Sequence, residues 1–302
     1  MTCIGRFAPS PTGDLHLGSL VAAVGSRLEA LRQRGRWHLR IDDLDAPRVV
    51  PGAAERILAT LTALGFEWAT PVEYQSANAA RYAGALAALD RAGLLFACAC
   101  TRRTRAAAIA AAEAPDLPDE ASCVSGCAAR ALPRDGHALR CRLEASAAQL
   151  SWHDRLQGAQ AIVTQLPRDV IVQRRDGIIA YQLAVVVDDA AIGVTDVVRG
   201  ADLIGSTVWQ RGLQIALGLP LPGYAHLPVV VEPDGSKLAK SRRSLAIDAL
   251  QPGRMLAQAL TLLRHAPPDG LERGSTQALW DWARAHWQPE RLAGLREVQA
   301  PH

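Results

Sequence analysis

Residues suited to holding phosphate occur in two short segments. The first, PSPTGDLHLGS, spans residues 9–19 and joins an apolar start to a run with helical spacing. His16, Gly18 and Ser19 then stand at a helix N-terminus, where free backbone N–H groups and the helix dipole favour an anion. His16 can donate to a phosphate, and Gly18 lets a nucleotide approach the backbone closely. The second segment, KLAKS, spans residues 237–241 and follows Gly235. Of the 33 basic residues only two are lysine, Lys237 and Lys240, and both are here; every other one is arginine. Two ammonium groups three residues apart on a loop can neutralise the charge that grows on pyrophosphate as it leaves. Drift in base composition with two chance survivors is the other reading, and it ignores how differently lysine and arginine behave. A third group is the six cysteines. Cys98 and Cys100 form one close pair, and Cys123 and Cys127 another. Cys3 and Cys141 sit in strand-like apolar runs and read as core residues.

A frame must bring residue 16 to residue 240. Residues 3–11 read as a short buried strand ending in proline-rich punctuation. Leu20, Val21, Val24, Leu28 and Leu31 recur at helical spacing over residues 18–34. Residues 37–41 form a second strand running into the acidic loop of Asp42, Asp43 and Asp45. Helices follow at 51–64, with Pro51 at the start and Gly65 at the end, and at 78–92. This alternation predicts an α/β fold with a Rossmann-type parallel sheet. Residues 98–136 interrupt it as an insertion holding both cysteine pairs. Strands are predicted at 138–143, 169–174, 181–187 and 194–199, and a helix at 206–217. Residues 248–302 read as a short helical region in which Trp280, Trp282 and Trp287 pack the tail onto the body rather than stacking on a base. The expected division is 1–97 and 137–247 for the two halves of the catalytic domain, 98–136 for the insertion and 248–302 for the tail.

Composition sets the outer bounds. With 302 residues, 49% hydrophobic and 21% charged, the chain can bury a large core without disulfides. No run of about 18 apolar residues occurs, and the N-terminus lacks the pattern of a secretory signal. A cytoplasmic protein with reduced thiols is expected. The net charge of +3 permits an anionic partner without demanding one.

At its two phosphate segments the chain resembles the class I aminoacyl-tRNA synthetases. HLGS at 16–19 is similar to the HIGH motif, with Ser19 in place of the second histidine. KLAKS is similar to KMSKS, with Leu238 and Ala239 in place of Met and Ser. The words GRFAPSPTG (5–13), RIDDLD (40–45), YQLAVVVDD (181–189) and VRGADL (198–203) resemble the glutamyl and glutaminyl branch, and the likeness covers residues 3–245. Residues 242–302 are too few for a separate anticodon-reading domain, which takes on the order of 100 residues. Within the branch the chain therefore resembles the glutamyl-Q tRNA(Asp) synthetases, which lack that domain.

The resemblance implies that glutamate is activated with ATP, with Mg2+ on the phosphates, and is then attached to queuosine in the anticodon stem-loop of tRNA(Asp). It implies ATP contacts from His16, Gly18, Ser19, Lys237 and Lys240, with Lys240, Lys237 and His16 as the catalytic set. Glutamate would meet Arg6, Phe7, Ala8, Pro9, Ser10, Asp42, Tyr181 and Arg199. A dicarboxylate suits arginine forks, which Arg6 and Arg199 can offer. Asp42 stands where the family has Glu, so a water would bridge it to the α-ammonium. The family's structural zinc maps to Cys98, Cys100 and Cys127, with Cys123 where tyrosine is usual; four thiolates make a closed site, and four free thiols are the alternative. Arg102, Arg103, Arg105, Arg242 and Arg243 suit RNA phosphates and equally a solvated face. A monomer without membrane contact is expected. Two rival functions stay open: a truncated glutamyl-tRNA synthetase charging the 3′ end of tRNA(Glu), and an inactive paralogue that regulates a partner.

Overall fold

The computed structural model describes residues 2–111, 122–160, 168–232 and 247–300, so Lys237, Lys240, Arg242 and Arg243 lie outside the described residues. The chain begins with β1 (Ile4–Phe7), α1 (Leu17–Arg32), β2 (Arg36–Ile41), α2 (Ala53–Ala63), β3 (Glu73–Tyr74) and α3 (Ala79–Arg91). It continues through β4 (Leu95–Cys98), α4 (Arg102–Ala111), β5 (Ala138–Arg142), α5 (Ala147–Leu150), β6 (Trp152–Asp154), β7 (Gly158–Gln160) and β8 (Asp169–Gln173). The last part holds α6 (Tyr181–Ile192), β9 (Asp196–Gly200), α7 (Ile204–Ala216), β10 (Gly223–Leu227), β11 (Val229–Val231), α8 (Pro252–Leu262), α9 (Thr276–His286) and β12 (Glu297–Gln299).

The expected parallel α/β arrangement is present. β1, β2 and β3 pair in parallel, and β10 pairs in parallel with both β9 and β6. β9 lies against the free edge of β1, where the Thr195 amide donates to the Ile4 carbonyl at 3.0 Å and the Ile4 amide to the Thr195 hydroxyl at 2.9 Å. Helix α1 covers this junction. Its Leu20, Val21, Val24 and Leu28 are fully buried with Trp37, Leu39 and Leu227, each worth about 2 kcal/mol of transfer free energy. A separate antiparallel sheet, β4-β5-β8, carries the cysteine loop between its first two strands.

One expected element is corrected. Residues 181–187 are not a strand but the start of α6. Leu183, Ala184, Val185, Val186 and Val187 are all buried. A helix apolar on every side and a doubly covered strand give the same uninterrupted run, so periodicity cannot separate them. The stop signal decides: Gly193 closes the helix at φ 79°, a left-handed position that suits glycine.

The tail packs as the sequence suggests. The Trp280 indole donates to the Leu64 carbonyl at 3.0 Å and the Trp287 indole to Glu29 at 2.7 Å. Trp282 is partly buried against His286 instead.

Candidate active site

The sharp turn from β1 to α1 builds the first wall of the site. Gly13 takes φ 144° there, and His16 is the N-cap of α1. The His16 Nδ1 accepts from the Ser19 amide at 3.3 Å, and its Nε2 lies 3.1 Å from the Ser19 hydroxyl. The first contact requires an unprotonated Nδ1, so a neutral ring carries its proton on Nε2. A Cβ on Gly18 would meet this ring at 3.1 Å, which is why no side chain fits between turn and imidazole. A cavity of about 320 Å³ opens at this helix start. Phe7, Ala8, Pro9 and Ser10 border it with His16, Gly18 and Ser19; the facing wall is Gly200, Asp202, Val229 and Val230. Backbone N–H groups at an N-terminus, beside a cleft of this size, can hold a nucleotide phosphate.

A larger cavity of about 830 Å³ shares Ser10 with the first. Asp42, Gln75, Arg174 and Tyr181 line it, and the cysteine loop reaches it through Cys100 and Thr101. Arg6 and Arg199 do not line either cavity. Both are buried behind the walls, Arg6 on β1 and Arg199 on β9. The Arg6 Nε donates to Asp189 at 3.2 Å and its Nη1 to the Val198 carbonyl at 3.4 Å. Arg40, fully buried, bridges Asp42 at 2.7 Å and Asp189 at 2.7 Å. Burial pushes the Asp42 carboxyl up, against the pull of Arg40. At Asp189 the opposition of burial is overcome by Arg6 and Arg40, and its carboxyl stays below the usual range. Of the predicted glutamate residues, then, Ser10, Asp42 and Tyr181 meet at the large cavity, Phe7, Ala8 and Pro9 face the small one, and the two arginines are set behind.

Arg199 is the more telling of the pair. Its Nε donates to His226 at 3.1 Å, and its Nη2 to Thr207 at 2.9 Å and the Leu203 carbonyl at 3.3 Å. Its Nη1 is buried with no partner among the described residues. A buried guanidinium nitrogen left unmatched costs free energy unless a ligand oxygen meets it.

The four cysteines converge. Their sulfurs all lie within 4.8 Å of one another, with Cys100 at 3.7 Å from Cys123 and 3.9 Å from Cys127. A tetrahedron of thiolates around a zinc ion has sulfurs about 3.8 Å apart. Burial opposes ionisation at Cys100, but its hydrogen bonds with Ser125, the Val124 amide and the neighbouring thiols outweigh it and hold that thiol at about 6. The set fits a closed metal site. Burial instead pushes Cys141 up to about 12, as suits a core residue.

Several further residues, not singled out from the sequence, shape the site. Asp188 accepts from Gln75 at 2.8 Å, Asn78 at 3.1 Å, Arg81 at 2.8 Å and Tyr82 at 2.6 Å, and so ties α6 to α3. Asp154 and His226 form a buried pair, and Asp202 borders the helix-start cavity. Asp202 could have been found, since it lies in the VRGADL word. Asp43 accepts from the Ser76 amide and hydroxyl and caps that turn, as a loop acid would. Arg105 is buried and donates to the Cys100 carbonyl at 3.2 Å, which removes it from the RNA-facing set.

The parallel sheet, the helix beginning at His16 and the cavity against it define a class I synthetase catalytic domain: the tRNA synthetases class I (E and Q), catalytic domain, match residues 3–261. The glutamate-tRNA synthetase of Elizabethkingia anophelis superposes with a TM-score of 0.77 at 21% identity, over 100% of this chain and 68% of that one, a likeness of fold. The glutamyl-Q tRNA(Asp) synthetase of Aromatoleum aromaticum is 48% identical over 99% of this chain and 93% of its own. That of Dechloromonas aromatica is 48% identical over 94% and 93%. The chain belongs to the glutamyl-Q tRNA(Asp) synthetase family.

Proposed function

We propose that the protein activates glutamate with ATP and transfers it to queuosine in the anticodon stem-loop of tRNA(Asp), acting as a monomer. The observation that carries this reading is the near full-length 48% identity to relatives of that name, on a fold whose helix start suits ATP and whose Arg199, behind the cavity walls, keeps for a carboxylate an Nη1 unmatched among the described residues. A glutamate carboxylate oxygen attacks the α-phosphorus of ATP, and the bond from that phosphorus to the bridging oxygen breaks. The N-terminus of α1, with His16, Gly18 and Ser19, holds the phosphates, and Lys237 and Lys240 neutralise the departing pyrophosphate; a magnesium ion bound with ATP would supply further charge neutralisation. A hydroxyl of the queuosine ring then attacks the activated carbonyl, losing its proton as AMP leaves. No side chain of the protein becomes covalently attached. Arg199 and Arg6 favour a second carboxylate, with Tyr181 and Asp42 at the large cavity completing the pocket.

The test is glutamylation of tRNA(Asp) with and without queuosine, followed by location of the label. Labelling confined to queuosine-bearing tRNA, and surviving removal of the 3′-terminal nucleoside, is the expected result. Label at the 3′ end of tRNA(Glu) would move the assignment to a truncated glutamyl-tRNA synthetase, and no pyrophosphate exchange at all would leave an inactive paralogue. Exchange should require glutamate and no RNA. Glutamine should support it about 100-fold less well or worse, because a neutral amide leaves a buried guanidinium unmatched.

The cysteine cluster suits one structural zinc per chain, held by Cys98, Cys100, Cys123 and Cys127. Elemental analysis of protein purified without chelator should find one equivalent, and Cys127→Ser should lose it. Chelation should expose the cysteine loop to protease while pyrophosphate exchange persists. No zinc in protein freshly purified without chelator would remove the zinc assignment.

A further inference from the structure

Arg199 is held by a chain of buried groups that begins at Asp154. The Asp154 carboxylate is fully buried on β6. Its Oδ1 accepts from the amides of Leu156 at 3.0 Å, Gln157 at 3.0 Å and His226 at 3.1 Å, so its orientation is fixed by backbone. Its Oδ2 faces the His226 Nδ1 at 2.5 Å. The other ring nitrogen of His226, Nε2, faces the Arg199 Nε at 3.1 Å. Arginine is a donor only. Nε2 must therefore accept, and the single proton of a neutral imidazole must sit on Nδ1, donated to Asp154. His226 and Arg199 are opposite one another in the parallel pairing of β10 with β9. The Tyr224 ring stacks parallel to the imidazole at 6.1 Å and lies 5.7 Å from the guanidinium carbon. Thr207 and the Leu203 carbonyl take Nη2. Every polar hydrogen-bonding direction of the guanidinium except that of Nη1 is thus fixed.

We infer that Asp154 and His226 are positioning residues for substrate recognition: they hold the Arg199 guanidinium by its Nε, and in one tautomer only, so that Nη1 is the nitrogen kept for the side-chain carboxylate of the amino-acid substrate. This rests on the reading that Arg199 meets glutamate. An imidazolium or the other tautomer would set an N–H against the Nε–H of Arg199. Burial and the nearby Arg199 hold the His226 imidazole below its ordinary range, against the pull of Asp154, which agrees with a neutral ring. The groups facing it are Asp154, Arg199, Thr207 and Tyr224, with the Arg6 charge beyond.

Asp154→Asn is the sharp test. The amide keeps the shape and one carbonyl for the backbone, but it offers an N–H to Nδ1 and so drives the ring proton to Nε2. Pyrophosphate exchange by the full-length variant should then show kcat/KM for glutamate lowered by about 30-fold or more, with KM for ATP moved by less than about threefold. His226→Leu should behave alike, and His226→Gln, whose amide can both donate to Asp154 and accept from Arg199, should restore most of that loss. In an Arg199→Ala background, adding Asp154→Asn should cost less than about twofold more, the signature of two residues acting as one unit. An undiminished effect in that background overturns the relay while leaving Arg199 in its role. If Arg199→Ala itself leaves glutamate kinetics unchanged, the glutamate reading of Arg199 fails first. Nitrogen NMR of labelled histidine in the wild-type protein is independent of any variant's folding: a proton on Nδ1 and none on Nε2 of His226 is expected, and a proton on Nε2 overturns the inference.

Discussion

Lys240→Ala should slow glutamyl-adenylate formation by about 100-fold or more, with little change in KM for glutamate. As the bond from the α-phosphorus to the bridging oxygen breaks, negative charge accumulates on the pyrophosphate, and a cation that meets it in the transition state acts on kcat rather than on ground-state binding. No neutral residue can replace that cation, and an arginine replaces it poorly because its charge is spread over a plane on a bulkier head. Lys240→Arg should therefore recover only part of the loss. Lys237→Ala should slow the same step, since its charge is equally available to the departing pyrophosphate. Single-turnover formation of AMP-linked glutamate, followed by rapid quench, separates these effects. A Lys240→Ala rate within a few-fold of wild type would show that this loop plays no part in the chemistry.

Those two lysines stand out in the sequence because the information is local: a residue type used nowhere else, at a fixed spacing. The same holds for the β1–α1 turn, where helical periodicity, a glycine and a histidine fall within a few residues, and for the cysteines, whose pairs are each short in sequence. The groups that escaped are those whose partners are remote. Arg40 and Asp189 are 149 residues apart, and Asp154 and His226 are 72 apart. Buried ion pairs of that kind leave no periodic trace, because each member simply interrupts an apolar run. Arg6 and Arg199 show the limit from the other side. Their identity as arginines near the site was readable, but not that Arg6 already serves Asp189 and that Arg199 is tethered by His226. The strand expected at 181–187 failed for a related reason. A run buried on all sides reports burial and not backbone conformation, and the glycine that ends the helix follows the run rather than lying inside it.

Asp189→Asn should destabilise the protein by about 3 to 5 kcal/mol. Asp189 is the single acid between two buried arginines, with the Arg6 Nε at 3.2 Å and the Arg40 Nη1 at 2.7 Å. Removing its charge leaves two buried guanidinium groups with Asp42 and the more distant Asp188 to balance them, and a low-dielectric interior makes that imbalance costly. The loss should also depend on pH in a definite sense. Because the folded-state carboxyl of Asp189 is held below its ordinary value of 3.8, its stabilisation is fully present above that value and fades as pH falls through the folded one. Wild type and Asp189→Asn should therefore differ most near neutral pH and converge in acid. Urea unfolding of both proteins at neutral pH and at pH steps below 3.8 reads this directly. A constant difference across the whole range would assign the effect to lost packing instead of charge. Removing Asp189 frees Arg6 and Arg40 together, and they anchor β1 and β2 beneath the turn that carries His16. The variant should accordingly lose affinity for glutamate before it loses its fold, and glutamate should raise its unfolding midpoint less than it raises that of the wild type.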